Sequence, residues 1–102
     1  MDKELKAKWV AALRSGEYRQ AHGQLWDGTD GYCCIGVLCR LQGATDQLLR
    51  LNRMNVAPEE LPNEGLSTYM RSNLATMNDG IIATGRQPVT FAQIADYIEA
   101  NV

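Results

Sequence analysis

Cys33, Cys34, Cys39 and His22 are the residues of this chain with the chemistry to attack a substrate or hold a metal. A cysteine nucleophile would need His22 as its base and a third group to orient the imidazole. Adjacent cysteines rarely bridge each other, because the ring they close strains the peptide between them. A zinc site needs four ligands at spacings such as CxxC. Three cysteines and His22 make four, but a directly adjacent pair followed by a five-residue step matches no common pattern. Each cysteine also lies in or beside an apolar run, where burial raises a thiol's pKa and quiets it. The residues therefore predict small buried hydrophobes in a tight helix, with no catalytic residue, no metal and no cofactor.

Other polar groups are weighed in the same way. Asp27/Asp30 and Glu59-Glu60 are paired carboxylates on paper, but they sit in turn-like or Pro-flanked segments that leave acids solvated. Gly80, Gly85 and Arg86 form a partly basic loop that lacks GxxxxGK[ST] and GxGxxG. Arg86 could pair bidentately with a phosphate while Asn78 and Asp79 read polar ligand edges. The competing reading, favoured on local grounds, makes Asn78-Asp79-Gly80 a helix stop with an Asx turn. Among the aromatics, Trp9, Tyr18, Tyr69 and Tyr97 read as core and rim. Trp26 and Tyr32 flank a turn and are expected to be exposed, able to stack on a base or anchor a protein. The candidate binding residues are thus Trp26, Tyr32, Asn78, Asp79 and Arg86.

The elements that position these groups follow from spacing. Leu5, Trp9, Ala12 and Leu13 share a face of a helix over residues 2–15, capped by Asp2 and stopped by Gly16. Lys3, Lys6 and Lys8 fall off that stripe and read as a solvated face. Residues 18–34, with Asp27-Gly28 and Asp30-Gly31, predict a short β-hairpin. A helix follows over 34–41, in which Gly36 permits a close backbone approach and Gly43 ends the run. Residues 46–51 suggest a short helix, and Pro58 and Pro62 punctuate a loop-rich connection. Ser67 caps a helix over 68–77 with Leu66, Met70, Leu74 and Met77 as its stripe. Residues 81–88 read as a loop or extended arm. Thr90 and Gln93 form a capping box for a last helix that buries Phe91, Ile94, Ala95 and Ile98. The class is α+β, predominantly α: four to five short helices and one small hairpin in a single domain spanning 1–102.

Composition narrows the partners. The chain has 102 residues, 45% of them hydrophobic, enough for one core. Ten Lys and Arg are scattered among twelve acids for a net charge of −2. Duplex DNA asks for a concentrated basic stripe, so duplex nucleic acid is not an expected partner. No segment approaches the roughly 20 apolar residues that span a bilayer, and residues 1–6 lack the apolar stretch of a signal peptide. A cytoplasmic protein with reduced thiols is expected.

Two stretches carry a resemblance. Gly31-Tyr32-Cys33-Cys34-Ile35-Gly36-Val37-Leu38-Cys39 is one; Met77-Asn78-Asp79 followed by Thr90-Phe91-Ala92-Gln93-Ile94-Ala95-Asp96-Tyr97-Ile98-Glu99 is the other. Together they are similar to small proteins encoded by phages and prophages, whose patterns read YCCLGVLC, LND and SFxEIADxIE. The lead-in from Leu13 to Gln20 is similar too, while residues 44–65 fall outside the likeness. Met77, Thr90 and Gln93 depart mildly from Leu, Ser and Glu, and the capping logic survives. The resemblance implies a context, not a reaction. Such proteins interfere with host machinery, including defence systems, by occluding a protein surface or sequestering a small ligand. The expected function is a non-enzymatic inhibitor that binds a host protein through its hairpin and loops. The alternative is a sponge for a small nucleotide signal near residues 78–86, with a possible homo-oligomer completing the pocket; a small cysteine-dependent enzyme comes third.

Overall fold

The first helix, α1 (Lys3–Ser15), begins where Asp2 accepts a hydrogen bond from the Leu5 amide and ends at Gly16, which adopts the left-handed conformation. These are the predicted boundaries. A computed structural model describes residues 1–51 and 66–102; the predicted Pro58/Pro62 loop and the Glu59-Glu60 pair lie outside the described residues. The core side of α1 is Trp9, Val10 and Leu13. Trp9 is fully buried, and its indole N–H donates to the Cys34 carbonyl at 2.8 Å, so the largest core side chain keeps its polar atom satisfied.

Residues 18–34 depart from the predicted hairpin. β1 (Arg19–Gln20) and β2 (Gly31–Tyr32) pair in parallel, Arg19 opposite Gly31 and Gln20 opposite Tyr32. The Asp-Gly turn does form, since Trp26 bridges Tyr32 in antiparallel sense and the Asp27 amide donates to the Gly31 carbonyl. The bend closes only that one bridge. The second strand continues past it to lie against residues 19–21, where the Ala21 amide donates to the Tyr32 carbonyl at 2.8 Å.

From Gly31 to Cys39 every residue is buried. Most of that run is α2 (Cys34–Leu41), which packs against α1 on one side and α4 (Thr68–Asp79) on the other. A helix apolar all round has to sit inside the fold, and this one is its central spine. Gly36 is where the Leu25 backbone crosses it. A Cβ there would overlap the Leu25 carbonyl oxygen and lie 3.0 Å from its carbonyl carbon. α2 is followed by the short α3 (Asp46–Leu51), as predicted.

Ser67 caps α4, accepting from the Met70 amide at 3.0 Å. The helix runs two residues past the predicted end, to Asp79, and buries Arg71, Leu74, Ala75 and Asn78 at i, i+3, i+4 and i+7. Gly80, at φ 76°, turns the chain out of it. The next segment is no extended arm. A 3₁₀ turn (Ile82–Thr84) is closed by two backbone hydrogen bonds between Ile81 and Arg86, at 2.9 and 3.0 Å. α5 (Phe91–Asn101) carries the predicted Thr90/Gln93 capping box and buries Phe91, Ile94, Ala95 and Ile98. It packs along α1 and against α4. The result is a predominantly helical α+β arrangement in which α2 is enclosed by α1 and α4.

Candidate functional site

The residue types singled out for chemistry divide into a buried group that builds the fold and an exposed group that faces solvent. Asn78 belongs to the first. It is fully buried, and its carboxamide makes four hydrogen bonds, to residues 20–21, to the start of α2 and to its neighbour Asp79. Its oxygen accepts from the Cys34 amide at 3.2 Å and from Gln20 Nε2 at 3.1 Å; its nitrogen donates to the Ala21 carbonyl at 2.7 Å and to Asp79 Oδ1 at 3.0 Å. Asp79 also accepts from the Gly23 amide at 2.9 Å. Gln20 extends the network, donating to the Val89 carbonyl and accepting from the Phe91 amide at the start of α5. Asn78 and Asp79 therefore tie β1, the start of α2 and the end of α4 together, instead of reading the edges of a ligand.

The cysteines are held in the same core. Cys33 is the N-cap of α2, its sulfur accepting from the Gly36 amide at 3.2 Å. Cys34 donates through its thiol to the Leu74 carbonyl. Burial pushes the Cys33 thiol up to about 12 and the Cys34 thiol well above its ordinary value. Cys39 is raised too by burial, against which Arg71, hydrogen-bonded to its thiol, pulls in the opposite direction. Each sulfur is thus held as the thiol, the less nucleophilic form. Among the described residues no group of three or more His, Cys, Asp or Glu side chains is placed to hold a metal ion.

Tyr32, expected at the surface, is buried, and its ring meets Tyr18 edge-on at a centroid distance of 5.3 Å. Pairing with residues 19–21 draws it inward, which a free-standing hairpin would not have done. Trp26 is half-buried, with its indole N–H bound to the Thr29 carbonyl at 2.9 Å. The turn beneath it is held by Asp27, which accepts from the Thr29 and Gly31 amides, the Thr29 hydroxyl and Arg19. These bonds, the Thr29 amide foremost, hold the Asp27 carboxyl at about 2. Asp30 takes the other branch of the Arg19 guanidinium at 2.9 Å. The Asp27/Asp30 pair is a fastening for the turn.

Three of the hollows formed by the described residues open to solvent. One, about 530 Å³, runs along the outward side of α1 and is lined by Lys3, Lys6, Ala7, Val10, Ala11, Arg14 and Glu99. Its floor is apolar and its rim mostly basic. Arg14 is fixed across it by Asp96 at 2.6 Å and Glu99 at 3.2 Å, and the Lys6 ammonium donates to the Glu99 carbonyl. On the far side of Ala11, a second shallow hollow of about 300 Å³ involves Lys8, Ala12, Ser15, Glu17 and Leu41. The smaller separate cleft, about 200 Å³, lies where Arg86 meets Asn73, Thr76, Met77 and Tyr97. Of the five candidate binding residues, Arg86 lines this open cleft. The sequence gives no signal for Ala7, Ala11 and Asn73, and it assigns Tyr97 to core and rim. Alanines on a lysine-rich face carry no signal by themselves, and the cleft is assembled from two helices and a turn.

Residues 1–61 match the family described as Domain of unknown function (DUF8296), and the chain belongs to that family. No curated protein and no solved structure matches it.

Proposed function

We propose that this protein is a non-enzymatic binding protein that inhibits a host protein by docking the outward face of α1 onto an acidic surface. The observation that carries this reading is the hollow along α1, with its apolar floor of Ala7, Val10 and Ala11 and its rim of Lys3, Lys6 and Arg14. The groups that could otherwise run a reaction, the three thiols and the Asn78 carboxamide, are occupied in the core. An apolar strip flanked by cations suits a partner helix or edge that is apolar at its centre and acidic along its sides. Glu4 is the sole acid within α1, and although Asp96 and Glu99 of α5 pair with Arg14, Lys3 and Lys6 leave the rim locally positive in a chain of net charge −2. Complementary charge of this kind raises the rate of encounter and selects partners more than it adds affinity.

The surface differs from the one the sequence suggested. Tyr32 is buried and cannot anchor a partner, and the Lys-rich side of α1 borders an apolar hollow, so it is more than a solvated face. The resemblance to phage and prophage proteins supports a protein of the bacterial host as the partner, with a component of its defence machinery as the first candidate. Among the described residues no helix is long and apolar enough to cross a membrane.

Ala7→Glu and Ala11→Glu test the proposal. Both positions are exposed, so the fold should hold while the floor of the hollow acquires a charge of the wrong sign. A host protein captured by the wild type should be lost by either variant. Amide resonances perturbed by that protein should cluster on α1, and affinity should fall as salt is raised. Capture that survives both substitutions, with perturbations away from α1, would remove this surface from consideration.

A further inference from the structure

We propose that the cleft between α4, the 81–86 turn and α5 is a second binding site, specific for a nucleoside monophosphate. Five side chains meet there: Asn73, Thr76 and Met77 from α4, Arg86 from the turn and Tyr97 from α5. The guanidinium is the first part of the argument. Arg14, Arg19 and Arg40 each have a carboxylate partner, and Arg71 is buried against Cys39. Arg86 is exposed and, among the described residues, its side chain has neither an ion pair nor a hydrogen bond. Its backbone is nonetheless pinned by both hydrogen bonds to Ile81. An anchored, unengaged guanidinium with no carboxylate in the cleft lining is suited to a phosphate, which it can grip through two parallel N–H donors.

The rest of the lining adds selectivity for a planar ring. Tyr97 is half-buried and offers an aromatic surface on which a base can stack. Asn73 and Thr76, one helical turn apart on α4, make no side-chain hydrogen bond among the described residues. A carboxamide supplies both a donor and an acceptor, the pairing presented by a base edge. At about 200 Å³ the cleft is smaller than the roughly 300–1,000 Å³ typical of drug-sized sites, which fits one ring and one phosphate better than a dinucleotide. The site is independent of the α1 hollow. Tyr97 and Glu99 are two residues apart on α5, about 200° around a helix, and so face opposite ways.

The test is a calorimetric and NMR titration of the whole chain with AMP, GMP, CMP and UMP, each beside its nucleoside and inorganic phosphate. At least one monophosphate should bind saturably, shifting the Asn73 side-chain amide and the Arg86 Nε–H. Arg86→Ala should weaken it by about tenfold to a hundredfold, as the loss of a charged hydrogen-bond donor implies. Tyr97→Leu should weaken it too, with both variants retaining the wild-type melting temperature. Ala11→Glu should leave nucleotide binding unchanged, so failure of the α1 reading and failure of this one are separately visible. Absence of saturable binding by all four at millimolar concentration would overturn the proposal. So would Arg86→Ala binding like wild type, or a monophosphate binding no better than its nucleoside or than inorganic phosphate.

Discussion

Replacing Asn78 with alanine probes whether the polar network at the centre of the molecule carries its stability. The substitution removes four hydrogen bonds, but they are not equivalent. Gln20 keeps the Val89 carbonyl as an acceptor, and Asp79 keeps the Gly23 amide as a donor. The Cys34 amide and the Ala21 carbonyl lose the side-chain partner that holds each of them in a buried setting. A buried polar group left unsatisfied costs about 1–3 kcal/mol, so two of them predict a loss of about 2–6 kcal/mol. Set against the roughly 5–15 kcal/mol of a whole domain, that is a large fraction. For a chain of this size it lowers Tm by at least about 8 °C.

Urea denaturation followed by circular dichroism measures the loss directly, with the m-value unchanged if the native fold is retained. Asn73→Ala is the control. It deletes the same side chain from the same helix, at a half-exposed site, and should stay within about 0.5 kcal/mol of wild type. Asn78→Asp sharpens the test. A carboxylate can still accept from the Cys34 amide, but it cannot donate to the Ala21 carbonyl and it faces Asp79. Burial and that neighbouring charge raise its pKa above the unfolded value of about 3.9. The variant should therefore lie nearest to wild type below about pH 4 and fall behind as pH rises through its folded pKa. An Asn78→Ala loss under about 1 kcal/mol, or an Asn78→Asp deficit that shrinks with rising pH, would refute the account of this network.

Three further predictions rest on different elements. Gly36→Ala should destabilise by about 1–3 kcal/mol or more, because the clash is with Leu25 backbone that cannot swing aside; a melt within about 0.5 kcal/mol of wild type would mean that the approach is looser than described. Asp27 has its carboxyl lowered, so its contribution is intact above pH ~4 and is lost as pH falls toward 2; Asp27→Asn should flatten that limb of a stability–pH profile, and an unaltered acid limb would contradict the Asp27 turn. Iodoacetamide at pH 8 should label none of the three buried cysteines until urea unfolds the chain, whereas rapid stoichiometric labelling of the native protein would show an accessible thiolate.

What could be read from the sequence was local. Asp2 before α1, Ser67 before α4 and the Thr90/Gln93 box before α5 are hydrogen-bonded within three residues, so spacing is enough to find them. The buried face of α5 follows from the 3.6-residue period for the same reason; on α1 the period finds Trp9 and Leu13, while Leu5 and Ala12 are half-buried and Val10 completes the face. What escaped depends on distant partners. Tyr32 was placed at the surface because a turn lies nearby, yet its strand pairs with residues 19–21. Asn78-Asp79-Gly80 does end α4, as the turn signal says, but the burial of Asn78 and its partners Gln20 and Cys34, 58 and 44 residues away, leave no local signal. Cys33 as a helix cap and Arg71 as a buried cation break the usual residue preferences. No periodicity would have suggested either.

The location of the motif stretches bears on where function resides. Cys34, Asn78, Asp79 and Phe91 lie within the stretches 31–39, 77–79 and 90–99 singled out in the sequence. In three dimensions they and their immediate contacts form one connected network: Asn78 to Cys34, Asn78 to Asp79, Asn78 to Gln20 and Gln20 to Phe91. A motif consumed in this way specifies a scaffold. The surfaces proposed for binding draw mainly on other positions, Lys3, Lys6, Ala7 and Ala11 on α1 and Asn73, Thr76 and Arg86 beside the cleft, although Met77, Tyr97 and Glu99 belong both to these surfaces and to the stretches. Those positions can change without disturbing the network, because their side chains lie outside it. Chains carrying the same motifs are therefore expected to share this architecture while differing in partner. Exchanging the outward residues of α1 between two such chains should transfer partner choice and leave both melting temperatures nearly unchanged. An exchange that collapsed the fold would show that scaffold and binding surface are not separable.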